Sequence, residues 1–356
     1  MKKKIKILIT ALVFSIFLSQ IAYAETTDIL DFTGTLEGKI IILDAGHGAG
    51  DNTYKDYSEG DTVYIIAKKL VPLLEQAGAT VYETRPDEDN ILLSVRTAII
   101  NKISLEYLIE VKNNQKTEVS YLELLKINAD IERMYELIAC MEEIIEDSNN
   151  ASKYLNYPYS VNNSISDELL EIFEFQADEV LTENMLMISL HTNAYSNTAI
   201  DGSLVLFEPF DTSEDVEYYY NDYSHVEYVT VFAEEMLYEL ELIGFRNGGT
   251  RAQNLHMTRE NNVPAALVET GFHTNDEDRE RLQGDENLEK LANAYFNAIV
   301  SYYTYDFTEI ENQIEKNIDI KDDEIDILIN YADVAVSLAS GNFTGFVSCL
   351  ANILYI

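Results

Sequence analysis

Ile40-Ile41-Ile42-Leu43-Asp44-Ala45-Gly46-His47-Gly48-Ala49-Gly50-Asp51 is the stretch that decides how the chain is read. Four apolar β-formers run straight into a glycine-rich loop holding one histidine. The run reads as a buried strand. Gly-His-Gly at its carboxyl end presents an imidazole where open α/β sheets carry their active sites. Residues 59–76 follow, with Val63, Ile66, Ala67, Leu70, Leu73 and Leu74 on one helical face. Gly78 stops that helix, and residues 79–84 read as a second strand closed by Arg85-Pro86. Strand, helix, glycine, strand is a βαβ unit, which predicts a parallel sheet and a right-handed crossover.

A second helix is expected at residues 92–100. Residues 102–184 change character. Leu124, Ile127, Ile131, Met134, Ile138, Met141 and Ile145 are spaced alternately three and four apart, an a/d seam. Leu169, Phe173, Gln176 and Val180 suggest another helix, separated from the first by a stretch rich in Asn and Tyr. This segment carries 18 acids and 6 basic residues. It reads as a helical hairpin set into the α/β domain, either a structural elaboration or a lid. The α/β grammar resumes with strands at residues 186–190, 202–207 and 264–268, and with helices at residues 226–242 and 288–303. The expected fold is thus α/β, a mostly parallel twisted sheet with helices on both faces. An inserted helical hairpin and a C-terminal helical tail add to it. The expected catalytic domain comprises residues 25–101 and 185–304, followed by an acidic linker and apolar tail at 305–356. Gly341 and Gly345 interrupt that tail, so it makes a poor membrane span.

The 356 residues include 63 acids against 24 Lys and Arg, a net charge of −39. That balance argues against binding a nucleic-acid backbone, which needs basic surface. Residues 1–24 have the form of a secretory signal peptide: four lysines, an apolar run, then Ala22-Tyr23-Ala24. An uncleaved anchor is the rival reading. The only cysteines, Cys140 and Cys349, make no recognisable framework, so any metal must be held by histidine and carboxylate.

Three apolar strands end in chemistry: one at His47, one at His191 and one at Glu269. In a parallel sheet those ends share an edge. A catalytic zinc takes three protein ligands, and two histidines with a glutamate form an established set. His47 and His191 are the candidate histidines. Glu59, opening the first helix, is the candidate carboxylate, with Asp51, Asp56 and Asp61 as rivals. His225, His256 and His273 read as structural, although His273 is close enough to Glu269 to be a distant rival ligand. Asp44 could orient His47. Arg251, in a glycine-bearing stretch, could meet a substrate carboxylate, and Asn193 could hydrogen-bond substrate.

These blocks together resemble the zinc-dependent N-acetylmuramoyl-L-alanine amidases, the cell-wall hydrolases called amidase type 3. The matching residues are Ile41 through Gly48, Glu59, Glu83-Thr84-Arg85, Arg96, Asn101, Ile188-Ser189-Leu190-His191-Thr192-Asn193-Ala194 and Pro264 through Asn275. The resemblance covers about residues 39–101 and 185–304 and implies one zinc per chain on His47, Glu59 and His191, with Glu269 as the catalytic glutamate. It implies cleavage of the amide between N-acetylmuramic acid and L-alanine of peptidoglycan by zinc-activated water, in a secreted protein working at the cell wall. The alternative is a catalytically silent or self-inhibited relative that binds the wall. Ala49 departs from the family pattern, which often has glycine there, and residues 102–184 stand where the family has a short connection. The a/d seam could serve a regulatory partner or a second copy.

Overall fold

The computed structural model describes residues 34–310 except 118, 156–165, 208–224, 254 and 309. The expected signal peptide, Cys349 and the apolar tail lie outside these residues. In chain order the elements are β1 (Ile40–Ala45), β2 (Thr53–Tyr54), β3 (Tyr57–Ser58), α1 (Glu59–Gln76), β4 (Thr80–Glu83), α2 (Leu93–Gln115) and α3 (Tyr121–Glu146). A 3-10 turn (Ser148–Asn150) leads to α4 (Ala151–Tyr154), α5 (Asp167–Gln176), α6 (Glu179–Asn184), β5 (Met185–Asn193) and β6 (Ser203–Phe207). The chain continues through α7 (Val226–Leu242), β7 (Asn247–Ala252), α8 (His256–Arg259), β8 (Ala265–Phe272), α9 (Asp276–Arg281) and α10 (Asp285–Thr304).

The main sheet has the order β4-β1-β5-β8-β6-β7. The first four strands are mutually parallel, β6 is antiparallel to β8, and β7 is parallel to β6. The apolar strands are covered on both faces, as continuous hydrophobic runs require. Alternation then assigns residues to two cores. Ile41, Leu43, Leu186, Ile188, Ala266 and Val268 pack with α1, α7 and α10, while Ile40, Ile42, Met185, Met187 and Ala265 pack with α2, α3 and α5.

Helix α1 begins where a cap is available: the Ser58 hydroxyl accepts from the Asp61 N–H. Its buried stripe is Val63, Ile66, Ala67, Leu70 and Leu74, and Gly78 follows it at φ +101°, a conformation glycine adopts freely. Helix α2 runs fifteen residues past the expected Ile100, because no glycine or proline interrupts it before Gln115. Helix α3 opens on a Ser120–Glu123 capping box and buries Ile127, Ile131, Met134, Leu137, Ile138, Met141 and Ile144. Five of the seven seam residues, Ile127, Ile131, Met134, Ile138 and Met141, are therefore buried within the chain, in the core shared with α2 and the sheet. The second helix expected in this segment is α5, broken from Val180, which lies in α6; the segment also contains the short α4 and the second half of α2. Among the described residues no helix is long and apolar enough to cross a membrane.

Besides the short helices α4, α8 and α9, three short strands were not expected. Residues 53–58 form a small antiparallel hairpin just before α1. Asn247–Ala252, read as a glycine-bearing loop, is the exposed edge strand β7, paired with β6 through Leu206 and Arg251.

Candidate metal centre

The carboxyl ends of β1 and β5 and the amino end of α1 meet at one point. β1 stops at Ala45, and His47 stands two residues beyond in the left-handed region, at φ 60°. A histidine there is uncommon and indicates a conformation held by its surroundings. Gly46 clears the space for the second histidine. A Cβ built on it would lie 2.3 Å from Cε1 of His191. Gly60 does the same for the loop, since a Cβ there would meet the Gly48 carbonyl at 1.9 Å. The two imidazoles face each other edge-on, their centroids 4.9 Å apart.

Glu59 joins them. Its Oε1 lies 3.1 Å from Nε2 of His47 and 3.0 Å from Nδ1 of His191, and it accepts the Thr192 N–H at 2.9 Å. Its Oε2 accepts from the Asn52 amide. Glu59 is buried, with the His47 side chain 33% exposed and that of His191 17%. Burial opposes charge on Glu59, but the hydrogen bonds from His191 and His47 outweigh it and hold the carboxyl well below the usual range. For His191 burial again opposes the charged form. The Glu59 hydrogen bond and the charges of Glu269, Glu59 and Asp44 prevail and raise its pKa.

His47, Glu59 and His191 each offer a ligand atom, and these atoms lie within 4.8 Å of one another. A tetrahedral zinc with bonds of about 2.0–2.1 Å sets its donors about 3.3 Å apart. Two ring nitrogens already 3.0 and 3.1 Å from one carboxylate oxygen are close to that spacing for two of the three donor pairs, and two imidazoles with a carboxylate are a donor set that suits the ion. The rival carboxylates are occupied elsewhere: Asp51 accepts from the Asn90 amide, Asp61 from the Gly50 N–H, and Asp56 faces Arg279.

Glu269 lies beside this cluster. It is paired in register with His191 on the neighbouring strand, where the β5–β8 ladder shifts between His191 and Asn193. Such an irregularity re-aims side chains next to a site. Its Oε2 is buried and has no hydrogen-bond partner. Burial first, and then the charge of Glu59, push its carboxyl up to about 7, against the lowering influence of His191 and His47.

The matching family model, described as N-acetylmuramoyl-L-alanine amidase, covers residues 41–185 and 176–301. The chain belongs to the Amidase_3 family. It is 28% identical over 180 residues to the probable cell wall amidase LytH of Staphylococcus aureus, covering 48% of this chain and 60% of LytH. It is 32% identical over 72 residues to the N-acetylmuramoyl-L-alanine amidase CwlM of Bacillus licheniformis, covering 20% of this chain and 27% of CwlM. This Amidase_3 chain thus spans less than two thirds of the length of either relative. Among solved structures, the Mycobacterium smegmatis amidase Ami1 aligns with a TM-score of 0.46 at 14% identity, over 75% of this chain and 98% of Ami1.

The structure places three further candidates of this Amidase_3 member as follows. Asp44 does not touch the His47 ring. It is buried and accepts from the hydroxyls of Thr84 and Ser189 and from Nη1 of Arg96. Arg251 is exposed on the outer edge of the sheet. The register sets it level with Leu267, two residues back from Glu269 and two strands away. Because β6 and β7 run opposite to β8, the end of β7 points away from the cluster. Asn193 spends its side-chain oxygen on the Ala194 N–H and its carbonyl on the His273 N–H, as an asparagine at a turn does. His273 stands outside the group of three and beside it: its ring stacks on Tyr57 at 5.1 Å, and its Nδ1 is 3.0 Å from Oγ1 of Thr192. His225 is buried between Thr182 and the Gln176 carbonyl.

The reading of the sequence missed Asn52, Tyr57 and Thr192. Thr192 could have been found from its place beside His191. Nothing local marks the other two.

Proposed function

We propose that this chain is a zinc-dependent N-acetylmuramoyl-L-alanine amidase that acts on peptidoglycan outside the cytoplasm. The observation that carries the reading is the shared contact of His47 and His191 with one oxygen of Glu59, with Glu269 in register beside His191. His47, Glu59 and His191 would hold the zinc. Bound there, zinc supplies Lewis-acid polarisation of a carbonyl and makes water acidic near neutrality, from a pKa of about 16 to roughly 7.

The remaining chemistry falls to Glu269. Its free, buried Oε2 takes one proton from the attacking water. The resulting hydroxide adds to the carbonyl carbon of the lactyl group of muramic acid. The carbon–nitrogen bond then breaks, and Glu269 returns its proton to the amine of L-alanine. Burial raises this carboxyl above the ordinary carboxylate range, which favours one group serving first as base and then as acid. Hydrogen bonds from His191 and His47 keep Glu59 ionised and in place despite its burial.

The test is metal analysis with peptidoglycan digestion on wild type and Glu269→Ala. Both proteins are expected to hold about one zinc per chain, and only the wild type should release free amines. Full cleavage without zinc overturns the mechanism. Zinc bound with no amine release by the wild type favours the alternative, a catalytically silent or self-inhibited relative that binds the wall.

A further inference from the structure

Two buried arginines lie beneath the turn that carries His47. Once β1 ends, the carbonyls of residues 45, 46 and 47 need other donors. Ala45 O accepts from Nε of Arg85 at 3.0 Å and from Nη1 of Arg96 at 2.6 Å. Gly46 O accepts from Nη2 of Arg85 at 3.3 Å, and His47 O from Nη2 of Arg96. The same Arg85 Nη2 also donates to Gly60 O at 2.7 Å. One nitrogen therefore ties the residue before His47 to the residue after Glu59.

Both arginines are 1% exposed, and their hydrogen bonds go to backbone carbonyls and to Asp44. Arg96 has a carboxylate for its charge, Asp44, at 2.9 Å. Arg85 makes its bonds to carbonyl oxygens and stacks on the Tyr64 ring at 5.1 Å. A fold that needed only filler here would be served as well by apolar side chains. A rigid planar fork does something they cannot do: it holds several carbonyls in one set arrangement.

We propose that Arg96, with Asp44 as its counter-ion, and Arg85 are positioning residues for His47. They hold its backbone in the left-handed conformation that aims its ring at Glu59, and Arg85 sets the spacing between the His47 and Glu59 segments. Asp44 thus acts on His47 through Arg96. The inference rests on the metal-binding reading given above and concerns the ligand geometry, not the chemistry.

The experiment compares wild type, Arg96→Gln, Arg96→Lys and Arg85→Lys as full chains. Zinc affinity is read by competition with a chromophoric chelator, geometry by the visible absorption of the cobalt(II) form, and folding of the metal-free protein by circular dichroism. The two lysine variants keep the buried charge but lose the fork, so they carry the test if Arg96→Gln does not fold. The expected result is folded protein whose zinc dissociation constant rises about 10- to 100-fold, as loss of an outer partner does, with an altered cobalt spectrum. Folded lysine variants that bind zinc within about twofold of wild type, with unchanged cobalt bands, overturn the inference. A wild type that binds no zinc overturns the metal-site reading and this inference with it.

Discussion

Gly46→Ala isolates the metal site from the stability of the fold. The added methyl would lie 2.3 Å from Cε1, 2.5 Å from Nε2 and 2.8 Å from Nδ1 of His191. Ordinary contact at that point needs about 3.4 Å, so the ring must retreat by about 1 Å. Ligand positions tolerate about 0.2 Å. Gly46 is not in the left-handed region, so alanine adds no backbone strain there. Crowding should destabilise the metal-free protein by about 1–3 kcal/mol, while zinc affinity falls about 10- to 100-fold. Gly38→Ala is the control. Gly38 sits at φ +77° with open space around it, so alanine should destabilise by about 1–2 kcal/mol and leave zinc binding unchanged. Chelator competition and urea unfolding of both variants decide the matter. A Gly46→Ala protein that binds zinc within about threefold of wild type would refute the claim that His191 is a ligand held against this glycine.

The amine-release rate should fall as pH drops through the Glu269 titration, because the base must be deprotonated. Burial sets that midpoint at about 7 without a cation, and bound zinc moves it lower; Glu269→Gln should remove the limb along with most of the rate, a factor of about 100–10,000. His225 is held neutral by burial, its pKa lowered to about 4. The unfolded chain, with a histidine pKa of about 6.5, therefore binds more protons between pH 6.5 and 4, and stability is lost as pH falls through that window, by about 3 kcal/mol in full. Glu269 has the opposite sign between about 4.5 and 7, so the measurement is the difference in urea stability between wild type and His225→Gln across pH 7 to 4. The idea fails if that difference does not change with pH. Met134→Ala, at a fully buried position of α3, should lower stability by about 2–5 kcal/mol with zinc affinity unchanged.

Much of this was legible in the residues because it depends on local pattern. The bounds of α1 follow from its apolar spacing, its Ser58 cap and Gly78. β1 and β5 announce themselves as unbroken apolar runs, and their carboxyl ends named His47 and His191. Glu59 was different. Its spacing did not separate it from Asp51, Asp56 or Asp61, and only the family resemblance singled it out. What stayed hidden depends on distant partners. Asp44 and Arg96 are 52 residues apart, so no pattern reveals that the arginine, rather than His47, takes the carboxylate. β7 has the sequence Asn-Gly-Gly-Thr-Arg-Ala, which carries no strand signal. It is a strand because β6 offers an open edge, a case of context overriding propensity.

The helical insertion also changes meaning once its packing is known. Ile131, Met134, Leu137 and Met141 share a core with Ile40, Ile42, Met185 and Met187 of the sheet itself. Deleting residues 102–184 would uncover one face of β1 and β5, so loss of activity in such a truncation would report a broken core and not a removed lid. Among the described residues, no side chain from 102–184 hydrogen-bonds to His47, Glu59, His191 or Glu269, and the His47 ring remains one third exposed. The insertion's strongest polar tie runs elsewhere. Gln176 donates to Asn101 at 2.9 Å and to Ser104 at 2.7 Å, and it accepts the Asn262 N–H at 2.6 Å, two residues before the Pro264 that leads into β8. That bond connects the insertion to the strand bearing Glu269 by its root, not its tip. One polar route from the insertion to catalysis therefore runs through the placement of β8. Gln176→Leu tests it: an effect on the rate with unchanged zinc affinity supports this route, and an unchanged rate in a folded variant rejects it.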